Sequence, residues 1–222
     1  MEQISGGTAN SLFWLGRYMQ RVYTILHFFE KFRDQIIESP EDYKEFCVKL
    51  GVQEDKYASA SDFMARILYD KDDGNSLFAA LKCAFNNAIM VRDLTKSDIF
   101  SYVQLAVDKI EECAAKNADI NDLQGVADSA MAFWGAVDER IFNRETRDMI
   151  KAGWFLEDLD LHVRFDYPFW RLKGMLNRLE FRVTNNPHLF DVGKFLELKE
   201  ALAEPGINRD NVLYLISVLF RL

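Results

Sequence analysis

Basic clusters, long apolar runs and catalytic signatures are all missing from this 222-residue chain, and each absence removes a class of function. No run of Lys or Arg exceeds two residues and the net charge is −8, so the concentrated basic surface that a phosphate backbone requires is lacking. Nucleic acid is therefore not an expected ligand. The longest apolar run, Val212 to Phe220 broken by Ser217, falls far short of the roughly 20 residues of a membrane span. The opening Met-Glu-Gln-Ile-Ser-Gly-Gly has neither the basic nor the apolar region of a secretion signal, and the expected compartment is the cytoplasm, away from membranes. Cysteines are few: Cys47, Cys83 and Cys113 are scattered, odd in number and free of Cys-x-x-Cys spacing, so they read as small buried apolar residues. No Gly-x-Ser-x-Gly, glycine-rich phosphate loop or His-Glu-x-x-His occurs, and Ser5-Gly6-Gly7 reads as an N-terminal lead. No cofactor is expected. Alternating β-branched stretches between turn residues are absent as well, which argues against a sheet.

What remains is helical. Leu12, Leu15, Met19, Val22, Leu26, Phe29, Phe32 and Ile36 recur at three- and four-residue steps, the stripe of one long buried helix beginning near Thr8 or Asn10. Ser39-Pro40-Glu41-Asp42 starts a short helix that Gly51 stops. Ser61-Asp62 opens another to about Tyr69, Ser76 caps one to about Val91, and Thr95 with Asp98 opens one to about Ala115. Asp119 or Asn121 caps a helix to about Trp134, and further helices are expected from Arg144 to Phe165, from Pro168 to about 184, near 190–203 and near 208–221, with a loop around Pro205-Gly206. The 49% hydrophobic content can fill a whole core. The expectation is an all-α, irregular helical bundle with two related halves. They form a single domain over 1–222, divided at about 1–120 and 121–222 or at the loop before Arg144.

The halves are suggested by a repeat. Gly16-Arg17-Tyr18-Met19-Gln20-Arg21 and Gly153-Trp154-Phe155-Leu156-Glu157-Asp158 share a glycine, an aromatic at the third place, an apolar residue at the fourth and a polar pair at the fifth and sixth. The surrounding residues resemble a known family, the bacterial alpha-E domain proteins. Ala9-Asn10-Ser11-Leu12-Phe13-Trp14-Leu15-Gly16-Arg17-Tyr18 is close to the family's Ala-Asn-Ser-Leu-Tyr-Trp-Leu-Gly-Arg-Tyr. Asn87-Ala88-Ile89-Met90-Val91-Arg92-Asp93 is similar to its central Asn-Ala-Arg-x-Val-Arg segment, and the stretch from Arg144 through Ile150-Lys151-Ala152-Gly153 to Glu157 is similar to a second Leu-Gly-Arg-x-Leu-Glu-Arg copy. The resemblance fades after about Phe165. Departures fall on the charges: Gln20-Arg21 and Glu157-Asp158 stand where the family has Glu-Arg, and Phe85, Asn86 and Ile89 replace polar residues of the central segment. The chain thus reads as a divergent, shortened member.

Three readings are open for the polar stripes Arg17, Gln20, Arg21, Thr24 and Glu157, Asp160, Arg164: a solvated face, a buried inter-helix network, or a ligand or catalytic site. With Asn87, Arg92 and Asp158 they form the candidate polar cluster. Two copies packed about a pseudo-twofold axis predict a contact between Arg21 and Glu157, with Arg17 or Gln20 reaching the same carboxylates. Asp160 and Arg164 also suit an ordinary surface pair. His27 with Glu30, and His162 with Asp158, share helix faces and read as solvated pairs; no Glu-x-x-His recurs, and no metal is expected. Phe165, Tyr167, Phe169 and Trp170 crowd a helix break and form the candidate partner surface.

The resemblance implies an accessory module, because family members are encoded or fused beside circularly permuted ATP-grasp enzymes and transglutaminase-like proteins. That association points to peptide or amide-bond modification, with an ATP-grasp or transglutaminase-like protein as partner and self-association left open. The alternative is a small enzyme acting on a peptide through the polar stripes. Gln20 in place of a carboxylate favours the non-catalytic reading, since an amide serves neither as acid nor as base.

Overall fold

The computed structural model describes residues 4–116, 118–203 and 206–221, so Met1 to Gln3 and Pro205 lie outside the described residues. Ten α-helices are found there: α1 Gly6–Glu38, α2 Tyr43–Leu50, α3 Ala60–Tyr69, α4 Leu77–Met90, α5 Arg92–Ala115, α6 Gln124–Arg140, α7 Arg144–Arg164, α8 Phe169–Asn185, α9 Val192–Ala203 and α10 Arg209–Ser217. Among the described residues the one β feature is an isolated antiparallel bridge between Phe190 and Phe220. The all-α expectation holds.

Local chemistry sets most boundaries. Ser76 Oγ accepts from Ala79 N at 2.9 Å and caps α4 as expected, whereas α3 is capped two residues earlier than expected, by Ser59 accepting from Asp62 N at 3.1 Å. Asp119 begins a 3-10 turn at Ile120–Leu123 with a capping box, and α6 follows from it. The α6 helix runs six residues past Trp134, ending in Arg140, whose Nε lies 3.6 Å from Asp98 Oδ2. The α5 helix is broken at Lys96, with φ 65° and ψ 165°, so its regular part begins near the expected Thr95 start.

The chain divides into two compact units: the residues through Arg17 with those from Phe142 onwards, and Tyr18–Ile141. One boundary between the units lies at the loop before Arg144 and the other inside α1. In the Tyr18–Ile141 unit the core is aromatic, with Phe63 in ring contact with Phe29, Phe46, Tyr43 and Tyr57 at centroid separations of 5.8, 5.7, 5.5 and 5.2 Å. Its polar pin is Asp73, whose carboxylate takes Lys56 Nζ at 2.5 Å, Tyr57 Oη at 2.7 Å and Asn75 N at 2.9 Å. Burial opposes the charge on Asp73, but these donors outweigh it and hold its carboxyl below the usual range. Cys47 and Cys113 are buried here and Cys83 half-buried, and burial pushes the Cys47 thiol up to about 11.

In the other unit Phe13 stacks on Phe220 at 3.9 Å and meets Phe190 edge-on at 6.1 Å, which ties the start of α1 to the C-terminal segment. The same stretch of α1 crosses α7 at bare backbone. A Cβ on Gly16 would lie 1.9 Å from the Ile150 carbonyl oxygen, and one on Gly153 would lie 2.0 Å from that of Phe13. Each glycine thus faces the residue three before the other. The contact is reciprocal, as a duplicated helix predicts.

Candidate functional site

The close crossing brings the polar stripes of α1 and α7 together. Arg17, one residue past the first glycine, donates from Nε to Glu157 Oε2 at 2.6 Å and from Nη2 to Asp160 Oδ2 at 3.0 Å. Arg164 Nε completes the set, donating to Asp160 Oδ1 at 2.5 Å. Glu157, Asp160 and Arg164 sit at i, i+3 and i+7 on α7, hence on one face. The Glu157 side chain is 1% exposed, and the Arg17 guanidinium lies 5.2 Å from the Trp14 ring centroid. Arg17 and Arg164 thus meet the carboxylates of Glu157 and Asp160. Of the three readings, the buried network describes these four residues. Asp160 and Arg164 belong to it rather than to the surface.

The other members of the candidate cluster are described within their own units. Gln20 and Arg21 belong to the Tyr18–Ile141 unit, where buried Gln20 donates from Nε2 to Thr24 Oγ1 at 2.9 Å and Arg21 is half-buried. The expected reach of Arg17 to these carboxylates is present, through Nε to Glu157 and Nη2 to Asp160. Asn87 donates from Nδ2 to the Cys83 carbonyl at 2.8 Å within α4, and exposed Arg92 places its guanidinium 4.9 Å from the Phe100 ring centroid. Asp158 is half-buried, with Oδ1 3.4 Å from His162 Nδ1.

That histidine corrects the expectation of a solvated pair. His162 is buried, donates from Nδ1 to the Asp158 carbonyl at 2.6 Å, and meets the Tyr167 ring edge-on at 4.4 Å. His27 keeps its solvated place, with Nδ1 3.6 Å from Glu30 Oε2 and both side chains exposed. Among the described residues no group of three or more His, Cys, Asp or Glu is placed to hold a metal ion.

At the break between α7 and α8 the aromatic segment separates into two roles. Phe165 is 7% exposed and belongs to the core, which removes it from the partner surface expected there; its place at the end of the apolar face of α7 is the reason. Trp170 is 72% exposed, Phe169 is partly exposed beside it, and Tyr167 is half-buried. Asp166, at φ 56°, turns the chain here and pairs with Arg209. An open cavity of about 590 Å³ lies against this turn, lined by Tyr167, Pro168, Phe169, Leu172 and Ile207 among others. Arg17, Glu157 and Asp160 do not line it.

Sequence reasoning missed Asp73 and Asp148. Asp73 sat unnoticed in an acidic turn, and Asp148 is buried at the start of α7 between Arg144 and Arg182. The Arg144–Asp148 spacing was a legible signal for the second.

An all-helical fold with a glycine-spaced helix crossing and a buried Arg–Glu pair marks the chain as a helical domain built on a duplicated polar helix. The family model described as Alpha-E, a predicted alpha-helical domain with a conserved ER motif, matches residues 5–166, and the chain belongs to that family. No curated protein and no solved structure matches it.

Proposed function

We propose that this chain is a non-catalytic helical interaction module that presents the start of α8 to a protein partner. One observation carries the reading: where the helices cross, Arg17 and the buried carboxylates of Glu157 and Asp160 are spent on each other. A carboxylate that already accepts a charge-assisted hydrogen bond and is shielded from water is a poor acid or base. Exposed Trp170 and Phe169 beside an open apolar cavity are the kind of aromatic anchors that dominate binding surfaces. By family resemblance the partner is an ATP-grasp or transglutaminase-like protein of a cytoplasmic peptide- or amide-modifying system. A net charge of −8 speaks against a nucleic-acid role, and among the described residues no helix is long and apolar enough to cross a membrane.

The test is to mix the purified chain with the ATP-grasp protein encoded nearest to it and measure binding by calorimetry. A 1:1 complex is expected, weakened at least about tenfold by Phe169→Ala with Trp170→Ala, since hot-spot aromatics carry that much. Binding indifferent to both substitutions overturns the surface. Turnover of a peptide by the isolated chain overturns the non-catalytic reading.

A further inference from the structure

The α8 helix carries a charge opposite in sign to that of the chain around it. The protein is acidic, at −8 overall, yet α8 holds four cations, Arg171, Lys173, Arg178 and Arg182, against the single carboxylate of Glu180. Glu180 is matched by Lys199 at 2.6 Å, and Arg182 lies 3.7 Å from Asp148. Arg171, Lys173 and Arg178 are exposed and, among the described residues, have no carboxylate partner. Rings are what the two arginines meet: Arg171 lies 4.9 Å from the Tyr167 centroid and Arg178 5.9 Å from that of Phe155. Cations gathered on one helix repel one another, and a counter-charge has to come from elsewhere.

The same face has a shape. Leu172, Leu176, Leu179 and Val183 bury the inner side of α8, which sets Trp170, Gly174, Asn177 and Phe181 in one line along the outer side at steps of three and four residues. Trp170 is 72% and Phe181 46% exposed, so two rings stand at the ends of that line, about 16 Å apart along the axis, with a glycine and an asparagine between them. Arg171 and Arg178, two turns apart, flank the line on one side and Lys173 on the other. Glycine inside a helix costs stability relative to alanine, and a Cβ on Gly174 would meet nothing within 4 Å, so the packing of the chain itself does not call for it. A dip between two rings, rimmed by uncompensated cations, suits one apolar side chain accompanied by carboxylates.

We propose that the outer face of α8 binds an acidic segment of a partner protein, with an apolar side chain of that segment over Gly174, between Trp170 and Phe181, and its carboxylates on Arg171, Lys173 and Arg178. This rests on the reading of α8 as a protein-binding element and names the chemistry of the partner. Exposed rings anchor such contacts, and cations around them select the partner by charge. A lipid surface fits less well: the rings offer little apolar area for insertion, and Asn177 in the middle of the line would lose its water there without gaining a partner, whereas a peptide backbone supplies one. The net charge of −8 opposes a nucleic acid.

Titration of the full-length, ¹⁵N-labelled chain with a short alanine-based helical peptide, in which glutamates flank one leucine, tests the proposal by NMR. The control peptide has lysine for each glutamate. Saturable shifts are expected at the backbone amides of Trp170, Gly174, Asn177 and Phe181 with the acidic peptide, which should bind at least about tenfold more tightly than the basic one. Arg171→Gln with Arg178→Gln, at exposed positions, is expected to weaken binding at least about tenfold, the loss of two charge-assisted contacts. Gly174→Leu fills the dip while favouring the helix, so it should leave the far-UV circular dichroism intact and weaken binding about tenfold as well. No saturable binding, equal binding of the two peptides, or either variant binding as the native chain does overturns the proposal. So does native chain sedimenting with vesicles of mixed phosphatidylcholine and phosphatidylserine in a manner lost with the arginine pair, which assigns a lipid surface, or a dimer lost with the same pair, which assigns a second copy. If the neighbouring ATP-grasp protein binds in a way that depends on Phe169 and Trp170 but ignores the arginine pair, the acidic segment falls and the protein-binding reading of α8 stands; acidic-peptide shifts confined to other helices remove both.

Discussion

At the residue scale the informative pair is Arg17 with Glu157. In the family's repeated motif an arginine follows the glycine and a glutamate stands three residues after that, so two copies crossing reciprocally would make two such pairs. Here the first copy keeps the arginine and the second keeps the glutamate. Trp154 and Gln20 hold the complementary positions, so the charge is lost from both ends of the second pair at once. That pattern fits a pairing constraint: an unpartnered buried charge costs far more than its neutral replacement. Glu157→Gln is accordingly expected to lower unfolding stability by about 3–5 kcal/mol by leaving Arg17 underpaired in a buried setting, with Arg17→Met costing a similar amount. Equilibrium urea unfolding measures both, and losses below about 1 kcal/mol would show a pair that behaves as if exposed. The sequence made the complementarity of the two helices visible and named Arg17 among the residues that reach the carboxylates. The close approach of the glycine backbones brings Arg17 within reach of them.

Asp73 supports a prediction of pH dependence. Its folded carboxyl titrates below the unfolded value of about 3.9, so its contribution to stability is fully present above that value and is lost as pH falls through the folded one. The stability difference between the native chain and Asp73→Asn should therefore be flat from about pH 7 to 5 and shrink below about pH 4. Urea midpoints along that series read it directly. A gap that does not change with pH would mean that the Lys56 and Tyr57 contacts do not hold the ionised form.

At the scale of elements, periodicity and caps were enough to find every helix, because an apolar stripe and a Ser or Asp cap are local properties. Ends that depend on distant partners were misplaced. The last turns of α6 carry Asp138, Glu139 and Arg140, a polar run with no apolar stripe to read, and Arg140 has its partner in Asp98 of α5. Nothing local announces the positive φ of Lys96 either. The glycine crossing sits between these cases: the repeated glycines were visible, their function as contact points was not. Alanine at Gly16 or Gly153 gains up to about 1 kcal/mol of helix propensity, yet its Cβ meets a carbonyl oxygen at 1.9 or 2.0 Å, so the backbones must separate. Each single variant is expected to lose about 3 kcal/mol net, the upper end for an overpacked core. Since the first substitution already parts the helices, the double variant should cost clearly less than the sum. Additive losses would indicate two independent clashes rather than one shared contact.

At the scale of the whole molecule, the chain order itself makes a prediction. One compact unit is discontinuous: it joins the residues through Arg17 to those from Phe142 onwards, and the intervening segment forms the other. The first of these units gains from its N-terminal piece the Phe13 ring against Phe190 and Phe220, the Gly16 backbone against Ile150, and the guanidinium that neutralises Glu157 and Asp160. Without that piece the buried carboxylates of Glu157 and Asp160 lose the guanidinium that donates to both, and buried carboxylates that lose a cation either take up protons or draw in water. A chain beginning at Tyr18 is therefore expected to lose far more helical signal in far-UV circular dichroism than the removed residues carry, because α7 to α10 lose their order with it. Trp134, buried in the Tyr18–Ile141 unit, should meanwhile keep its blue-shifted fluorescence. Excitation at a tryptophan band in a variant that retains Trp134 and replaces Trp154 and Trp170 by Phe isolates that report. A helical loss no larger than the deleted share, with α7 to α10 still protected in hydrogen exchange, would show that the residues from Phe142 onwards fold without the first helix and that the crossing is an attachment rather than a core.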